Sequence, residues 1–201
     1  MKLYGSNTSP YVRKVRIQAL EGEYWDQIDF FEIATAPTNP NMNNVNPLKK
    51  VPALETDDGQ VLFDSRVVCE YLDQALGGGR TFPADGDVRW EALRLQALGD
   101  GLLDAALLAR YEHLLRPASA RWNDWSDGQM MKVDGALAEM EDSTASFGDR
   151  LDIGTITLAC ALGYLDFRFP KKDWRDSNTA LADWFEVMMA RPSVIGTAPP
   201  Q

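Results

Sequence analysis

The spacing of apolar positions divides this chain in two. Up to about residue 76 it alternates between strand and helix periods, and beyond that it is helical throughout. "KLY" near the start is a short apolar run that fits a strand, and from Pro10 to Leu20 the residues Val12, Val15 and Ala19 recur on one helical face, away from Arg13, Lys14 and Arg16. "QIDFFEI" (27–33) predicts a second strand. "ATAPTNPNMNNVNP" (34–47) is too rich in Asn and Pro for a long regular helix and reads as a loop. "VPALET", the turn "DDG" and "QVLF" predict a hairpin. "DSRVVCEYLDQAL" then places Val68, Tyr71, Leu72, Ala75 and Leu76 at helical spacing, with Ser65 in the N-cap position. Residues 1–76 therefore read as a compact α/β unit of roughly thioredoxin size.

"GGGRTFPADGD" (77–87) holds four glycines and a proline, a composition that ends helices and joins domains. After it, residues 88–201 predict helices alone. Trp90–Leu115 is a long candidate with an expected irregularity at Gly99 and Gly101, and Met130–Met140 is a shorter one. Ile153, Ile156, Cys160, Gly163, Tyr164 and Phe167 form a further stripe, in a stretch whose one charge is Asp166. A helix so apolar all round belongs at the centre of a bundle, with Asp152 as its cap. Leu181–Ala190 closes the set. The fold class is α/β followed by all-α.

Composition narrows the chemistry. The 201 residues are 45% hydrophobic and 25% charged, as in an ordinary globular protein. Twenty Lys and Arg against thirty Asp and Glu leave a net charge of -10, which argues against a nucleic-acid surface but not against a small anionic ligand met by one local positive patch. One histidine, His113, and two distant cysteines, Cys69 and Cys160, give no metal motif and no disulfide framework. The N-terminus lacks a signal-peptide apolar region, and the longest apolar run, Ile153–Leu165, is too short to span a membrane. These features predict a soluble, cytoplasmic protein without a metal.

Three short motifs can carry chemistry. Ser9 precedes Pro10 at a helix start, where it is either a cap or a hydroxyl set at the positive end of a helix dipole. Pro52 opens a strand although it cannot donate a ladder hydrogen bond, so it marks either an edge or a cis Val51–Pro52 bond that frees the Val51 backbone for a peptide-like ligand. Asp64-Ser65 ends a strand and opens a helix, which is either capping alone or an anion site suited to a carboxylate.

Taken in order, these stretches resemble the glutathione transferases. The carriers are Ser9-Pro10-Tyr11, then Asn46-Pro47-Leu48-Lys49-Lys50-Val51-Pro52-Ala53-Leu54, then Asp64-Ser65 followed by Val68 and Glu70-Tyr71-Leu72. "ALGDGLLDAAL" and "LACALGYLDFR" (158–168) agree in the helical half. The resemblance covers essentially the whole chain and is closest to small bacterial members. It implies a thioredoxin-like N-terminal domain with a mixed four-stranded sheet, a helical C-terminal domain, glutathione as co-substrate, a homodimer and a role in detoxification.

The resemblance also implies residue roles. Ser9 stands beside the glutathione sulfur, Val51 next to cis-Pro52 pairs with the tripeptide backbone, Asp64 and Ser65 receive the γ-glutamyl end, and Lys50 or Lys49 reaches the glycyl carboxylate. The helical domain offers a mostly apolar pocket for a small electrophile, for which Asp104, Leu108 and Tyr111 are candidate wall residues. A free thiol is mostly protonated at neutral pH. A serine O–H and the start of a helix stabilise its anion, which makes Ser9 a thiolate stabiliser and not a covalent nucleophile.

Some positions depart from the family pattern. Ser9-Pro10-Tyr11-Val12 lacks the cysteines of a glutaredoxin-like motif, which excludes thiol–disulfide exchange through Ser9. Tyr4, Ser6 and Thr8 compete for the sulfur contact, and Asp64 is shorter than the Glu or Gln common there. Asp152 and Thr155 are read as structural, Cys69 and Cys160 as core, and His113 as a surface residue at a helix end. The leading expectation is conjugation of the glutathione thiolate to a small apolar electrophile. The alternatives are a glutathione-dependent isomerase or dehalogenase, and a non-catalytic binding protein of the same fold.

Overall fold

A computed structural model describes residues 1–34, 36–41 and 43–200. The chain divides into two compact units, one formed by residues 1–92 together with the segment from Arg191 onward, the other by Leu93–Ala190.

The first unit is built on a four-stranded mixed sheet of order β2-β1-β3-β4. Its strands are β1 (Lys2–Gly5), β2 (Asp29–Glu32), β3 (Ala53–Glu55) and β4 (Val61–Leu62). β1 and β2 are parallel, with Leu3 opposite Phe30, whereas β1–β3 and β3–β4 are antiparallel, with Tyr4 opposite Ala53 and Leu54 opposite Leu62. The parallel pair requires a crossover, and α1 (Pro10–Glu21) supplies it. Val12, Val15, Ile17 and Ala19 of α1 are fully buried, as are Leu3 and Leu54 of the sheet. α1 packs against α2 (Ser65–Leu72), whose last turn widens over Asp73–Gly77.

Buried polar groups fix the chain after α2. The Asp73 carboxylate accepts from the backbone N–H and hydroxyl of Thr81 and from the Phe82 N–H, and Gln18 of α1 donates to Thr81 Oγ1 at 2.8 Å and to the Cys69 carbonyl at 2.9 Å. The glycine-rich connector is therefore tied down, not a loose tether.

The chain's last residues, expected with the helices of 88–201, pack instead with the first unit. α7 (Pro192–Ile195) follows Arg191, whose guanidinium bonds both oxygens of Glu21 at 2.8 Å. Ser193 also donates to Glu21, while Arg13 donates to the Val194 carbonyl and to Thr197. Polar side chains of α1 and α7 thus hold a segment too short to read as a helix from periodicity.

The second unit is all-helical. α3 (Gly86–Leu115) runs thirty residues without a break. The expected irregularity at Gly99 and Gly101 is absent, because Gly99 serves a close approach: a Cβ there would lie 2.8 Å from Thr157 Cγ2. α4 (Asn123–Ser143) begins well before Met130. Its polar first turns are held by contacts that periodicity does not report, with His113 paired to Ser126 at 3.0 Å and the Trp122 N–H donating to Glu112 at 2.9 Å. α5 (Ile153–Arg168) is buried continuously from Ile153 to Leu165, as its composition predicts. Asp152 and Thr155 close a reciprocal capping box at its start. α6 (Thr179–Met189) takes its N-terminal cap from Glu141 of α4, which accepts from the Ala180 and Leu181 amides. Cys69 and Cys160 are buried and form no disulfide, Cys69 on α2 in the first unit and Cys160 on α5 in the second. No helix among the described residues is long and apolar enough to cross a membrane.

Candidate active site

The sheet register brings the N-terminal candidates to one edge. Tyr4 lies opposite Ala53, so the chain leaving β1 toward Ser9 passes the chain entering β3 at Val51 and Pro52. Leu62 lies opposite Leu54, so residues leaving β4 at Phe63 and Asp64 reach the same edge. The N-termini of α1 and α2 therefore both open there. This follows from pairing alone, before any side chain is considered.

At the first helix start Ser9 is the N-cap, with extended backbone (φ -84°, ψ 123°) and Pro10 at the first helical position. Its Oγ accepts the Val12 N–H at 3.3 Å, and among the described residues its own O–H has no acceptor. The first turn of α1 holds no acidic residue, so nothing there offsets the positive end of the helix dipole. The neighbouring hydroxyls are engaged: Tyr4 donates to Glu55 at 2.9 Å, and Ser6 and Thr8 pair with each other at 3.1 Å. Burial and the Glu55 contact both raise the Tyr4 phenol above its ordinary value, so it stays protonated. Of the four hydroxyls along this strand and loop, Ser9 is the one that caps α1 and, among the described residues, bonds to no other side chain.

The loop before β3 is ordered by asparagines whose sequence pattern reads only as loop-forming. Asn44 and Asn46 are both 2% exposed, and both donate to the Lys50 carbonyl, at 3.1 and 3.0 Å. Asn44 also accepts from the Asn46 N–H, and Asn46 from the Leu48 N–H, as Asx turns do. Alternate Asn residues ahead of a proline were the available signal. The two lysines differ. Lys49, at φ 55°, turns its ammonium back onto the Asn44 carbonyl at 2.9 Å, whereas Lys50 is exposed with no partner for its ammonium among the described residues. The Val51–Pro52 peptide is cis, as is Phe63–Asp64. Val51 lies outside the β3 register, and its backbone N–H and C=O take no part in the sheet.

At the second helix start the cap is shifted by one residue from the expected Ser65. Asp64 has the extended backbone (φ -85°, ψ -156°), and its Oδ1 accepts the Arg66 N–H at 2.9 Å. Asp64 is exposed and its reach to the second amide closes the turn, so Ser65 becomes the first helical residue. Its hydroxyl is then released from capping: Ser65 is 2% exposed and its side chain makes no hydrogen bond among the described residues.

Asp104, Leu108 and Tyr111 belong to the second unit. They share a face of α3 at helical spacing, with Asp104 and Leu108 exposed and Tyr111 half-buried, its phenol raised by burial. His113 is exposed in the last turn of α3 and engaged with Ser126. Among the described residues no cluster of three His, Cys, Asp or Glu could hold a metal ion.

Residues 3–80 match the family model for the glutathione S-transferase N-terminal domain, and residues 123–186 match that for the C-terminal domain. The chain is 35% identical to the uncharacterized GST-like protein YibF of Escherichia coli (strain K12), over 100% of each. It also superimposes on crystal structures of a glutathione transferase family member from Pseudomonas fluorescens Pf-5. With bound glutathione, that structure is 43% identical, with a TM-score of 0.96 over 100% of this chain and 99% of the other. With bound S-(propanoic acid)-glutathione, the values are 43% identity and a TM-score of 0.93, over 99% of each chain.

Proposed function

This chain belongs to the glutathione S-transferase family, and from that premise we propose that it binds glutathione at the edge opened by Ser9, Val51 and Ser65 and transfers the glutathione thiolate to a small electrophile. The observation that carries the reading is the uncommitted Ser9 proton at the start of α1. A thiolate placed there receives a hydrogen bond from Ser9 Oγ and the field of the helix N-terminus, both of which favour the charged form. The thiol proton leaves to water, and the sulfur lone pair attacks the electrophile. Ser9 remains an O–H donor throughout.

The other residues bind. The free N–H and C=O of Val51 pair with the cysteinyl backbone as an added strand would. The Ser65 hydroxyl and the α2 amides receive the γ-glutamyl carboxylate, Asp64 attracts the γ-glutamyl ammonium with the oxygen not used in capping, and Lys50 meets the glycyl carboxylate. The exposed face of α3 carrying Asp104, Leu108 and Tyr111 contacts the second substrate. S-(propanoic acid)-glutathione bound to the Pseudomonas fluorescens protein supports a site that accommodates an S-substituted glutathione. The reading includes a homodimer, acting in detoxification in the cytoplasm.

Calorimetric titration with glutathione at neutral pH tests the binding half. Saturable binding, followed by turnover of model electrophiles, is the expected outcome. Absence of binding up to several millimolar would leave a non-catalytic protein of this fold, and turnover that regenerates glutathione would favour an isomerase.

A further inference from the structure

The turn between β1 and α1 is closed on itself. The Ser9 N–H donates to the Ser6 carbonyl at 3.0 Å, the Thr8 N–H donates to Ser6 Oγ at 3.4 Å, and the Ser6 and Thr8 hydroxyls pair at 3.1 Å. These bonds set the shape of the turn but not its attachment to the rest of the unit. Among the described residues, the one side-chain hydrogen bond from residues 6–8 to another element joins Asn7 to Arg16 of α1, whose guanidinium donates to Asn7 Oδ1 at 2.7 Å. Arg16 stands close to two full helical turns past Ser9, so it lies on the same face of α1, about 10 Å further along. The turn therefore folds back along α1, with Ser9 at its root and Asn7 as its point of attachment.

Arg16 is held ready for this contact. Its guanidinium carbon lies 5.7 Å from the Trp25 ring centroid and 5.5 Å from that of Phe30, within cation–π range of both. Phe30 belongs to β2 and Trp25 to the short helical turn before it, so two points outside α1 fix the side chain. The planar fork is thereby set independently of the turn that it holds.

The placement is costly. Burial first, and then the like charge of Arg13, hold the Arg16 guanidinium below its ordinary value, against the pull of Glu32. Its Nε is buried without a hydrogen-bond partner, and among the described residues Arg16 has no ion pair. A half-buried charge with a neutral amide as its acceptor is a poor stability device, because an apolar side chain beside Trp25 and Phe30 would pack there without the desolvation penalty. What the charge supplies is control of the turn. The cap bond from the Val12 N–H to Ser9 Oγ is long, at 3.3 Å, whereas the Arg16–Asn7 bond is short, at 2.7 Å, and charge-assisted. The cap alone holds the Ser9 side chain loosely, and the stronger bond is the one that fixes the turn from which Ser9 projects.

We propose that Arg16 is a positioning residue for Ser9, acting through Asn7, an inference that rests on the thiolate-stabilising role proposed for Ser9. With the turn fixed, the Ser9 O–H keeps one direction toward a bound sulfur and donates to the thiolate without reorganising. With the tether cut, the turn keeps its internal bonds but shifts against α1, and the donor is aligned for less of the time. The bound thiol then ionises at higher pH, while the contacts proposed for Val51, Ser65 and Lys50 still hold the tripeptide. The loss therefore falls on kcat and not on the glutathione KM.

The test pairs Asn7→Ala, which cuts the tether at the turn and leaves the buried face of α1 intact, with Arg16→Lys, which keeps the charge without the fork. Each should lower kcat for a model electrophile at neutral pH about three- to tenfold, the scale of one hydrogen bond, with the glutathione KM within about twofold of the parent. The loss should narrow at high pH, where the bound thiol ionises unaided, whereas a merely structural role would lower kcat at every pH. In a Ser9→Ala background Asn7→Ala should bring no further loss, because the tether acts through the hydroxyl. Amide exchange reads the tether without turnover: the Ser9 protection factor should fall about three- to tenfold in Asn7→Ala, with those of Val15 and Ala19 unchanged. An unchanged Ser9 protection factor, a loss carried by KM, a full further loss in the Ser9→Ala background, or an Arg16→Lys variant as active as the parent would each overturn the proposal. A parent that binds no glutathione would overturn the proposed function instead, and the exchange measurement would still decide whether Arg16 holds the turn.

Discussion

The Ser9 hydroxyl oxygen accepts the Val12 N–H at 3.3 Å, so one side chain both caps α1 and keeps a free proton at its start. The two duties separate by substitution. Ser9→Ala removes cap and donor together and should cost about 1 kcal/mol of stability, whereas Ser9→Gly caps nearly as well and should cost only a few tenths. Both variants should lower conjugation by roughly one to three orders of magnitude, if oxyanion-type magnitudes carry over to a thiolate, with glutathione affinity near that of the parent. Steady-state kinetics beside thermal melts check this. A fully active Ser9→Gly would leave Ser9 as a cap alone.

Lys49 and Lys50 are adjacent in sequence but differ in what holds them. Lys50→Ala should raise the glutathione Kd roughly two- to fivefold, the range of an exposed ion pair, and the effect should shrink in high salt. Lys49→Ala removes a bond to the Asn44 carbonyl and should loosen the loop without salt dependence in the Kd. Calorimetry at two ionic strengths separates them, and a salt-dependent loss confined to Lys49→Ala would exchange the roles.

Much of this organisation is legible in the sequence because it is local. The period of apolar residues around Val12 or Ile156 reports a helix face, and Asp152 followed by Thr155 reports a cap. The hairpin is announced by Asp-Gly, whereas the mixed four-stranded sheet is implied by the family resemblance and not by any local pattern. Other features depend on distant partners. Nothing near Arg191 signals that Glu21 will hold it, and nothing near Asn178 signals that Glu141 will cap α6. The cap at α2 differs by one residue because an Asp and a Ser in succession both suit the position, and backbone geometry decides between them. Gly99 reads as a helix breaker until Thr157 arrives against it.

That contact yields a paired prediction. Gly99→Ala places a methyl group 2.8 Å from Thr157 Cγ2 and 3.2 Å from the Thr157 carbonyl carbon, and should destabilise the chain by about 1–3 kcal/mol. Gly101 has nothing within 4 Å of an added Cβ, so Gly101→Ala should stabilise by about 0.5–1 kcal/mol through helix propensity. Thr157→Ser removes the colliding methyl while keeping the hydroxyl bonded to the Ile153 carbonyl, and should partly rescue Gly99→Ala. Denaturant melts of the double-mutant cycle give the coupling. Additive effects would mean that the two residues do not meet.

The hold of α7 on α1 should depend on pH through Glu21. Arg191 first, and Ser193 with it, hold the Glu21 carboxyl below its ordinary value against the opposing effect of burial. A carboxylate depressed in the folded chain contributes stability above its unfolded value, about pH 4.3, and loses that contribution as the pH falls through the folded value. Arg191 is raised by the same contact and stays charged throughout. The protection factors of the amides of residues 193–198 should therefore fall below about pH 4 before the sheet opens, while at neutral pH these amides stay protected. Other carboxylates titrate in the same range, so the comparison that isolates Glu21 is with Glu21→Gln. That variant should exchange faster in this segment already at neutral pH, with the acid-dependent step in residues 193–198 much reduced. An undiminished acid step in Glu21→Gln would mean that the segment is held by its Arg13 contacts to Val194 and Thr197 instead.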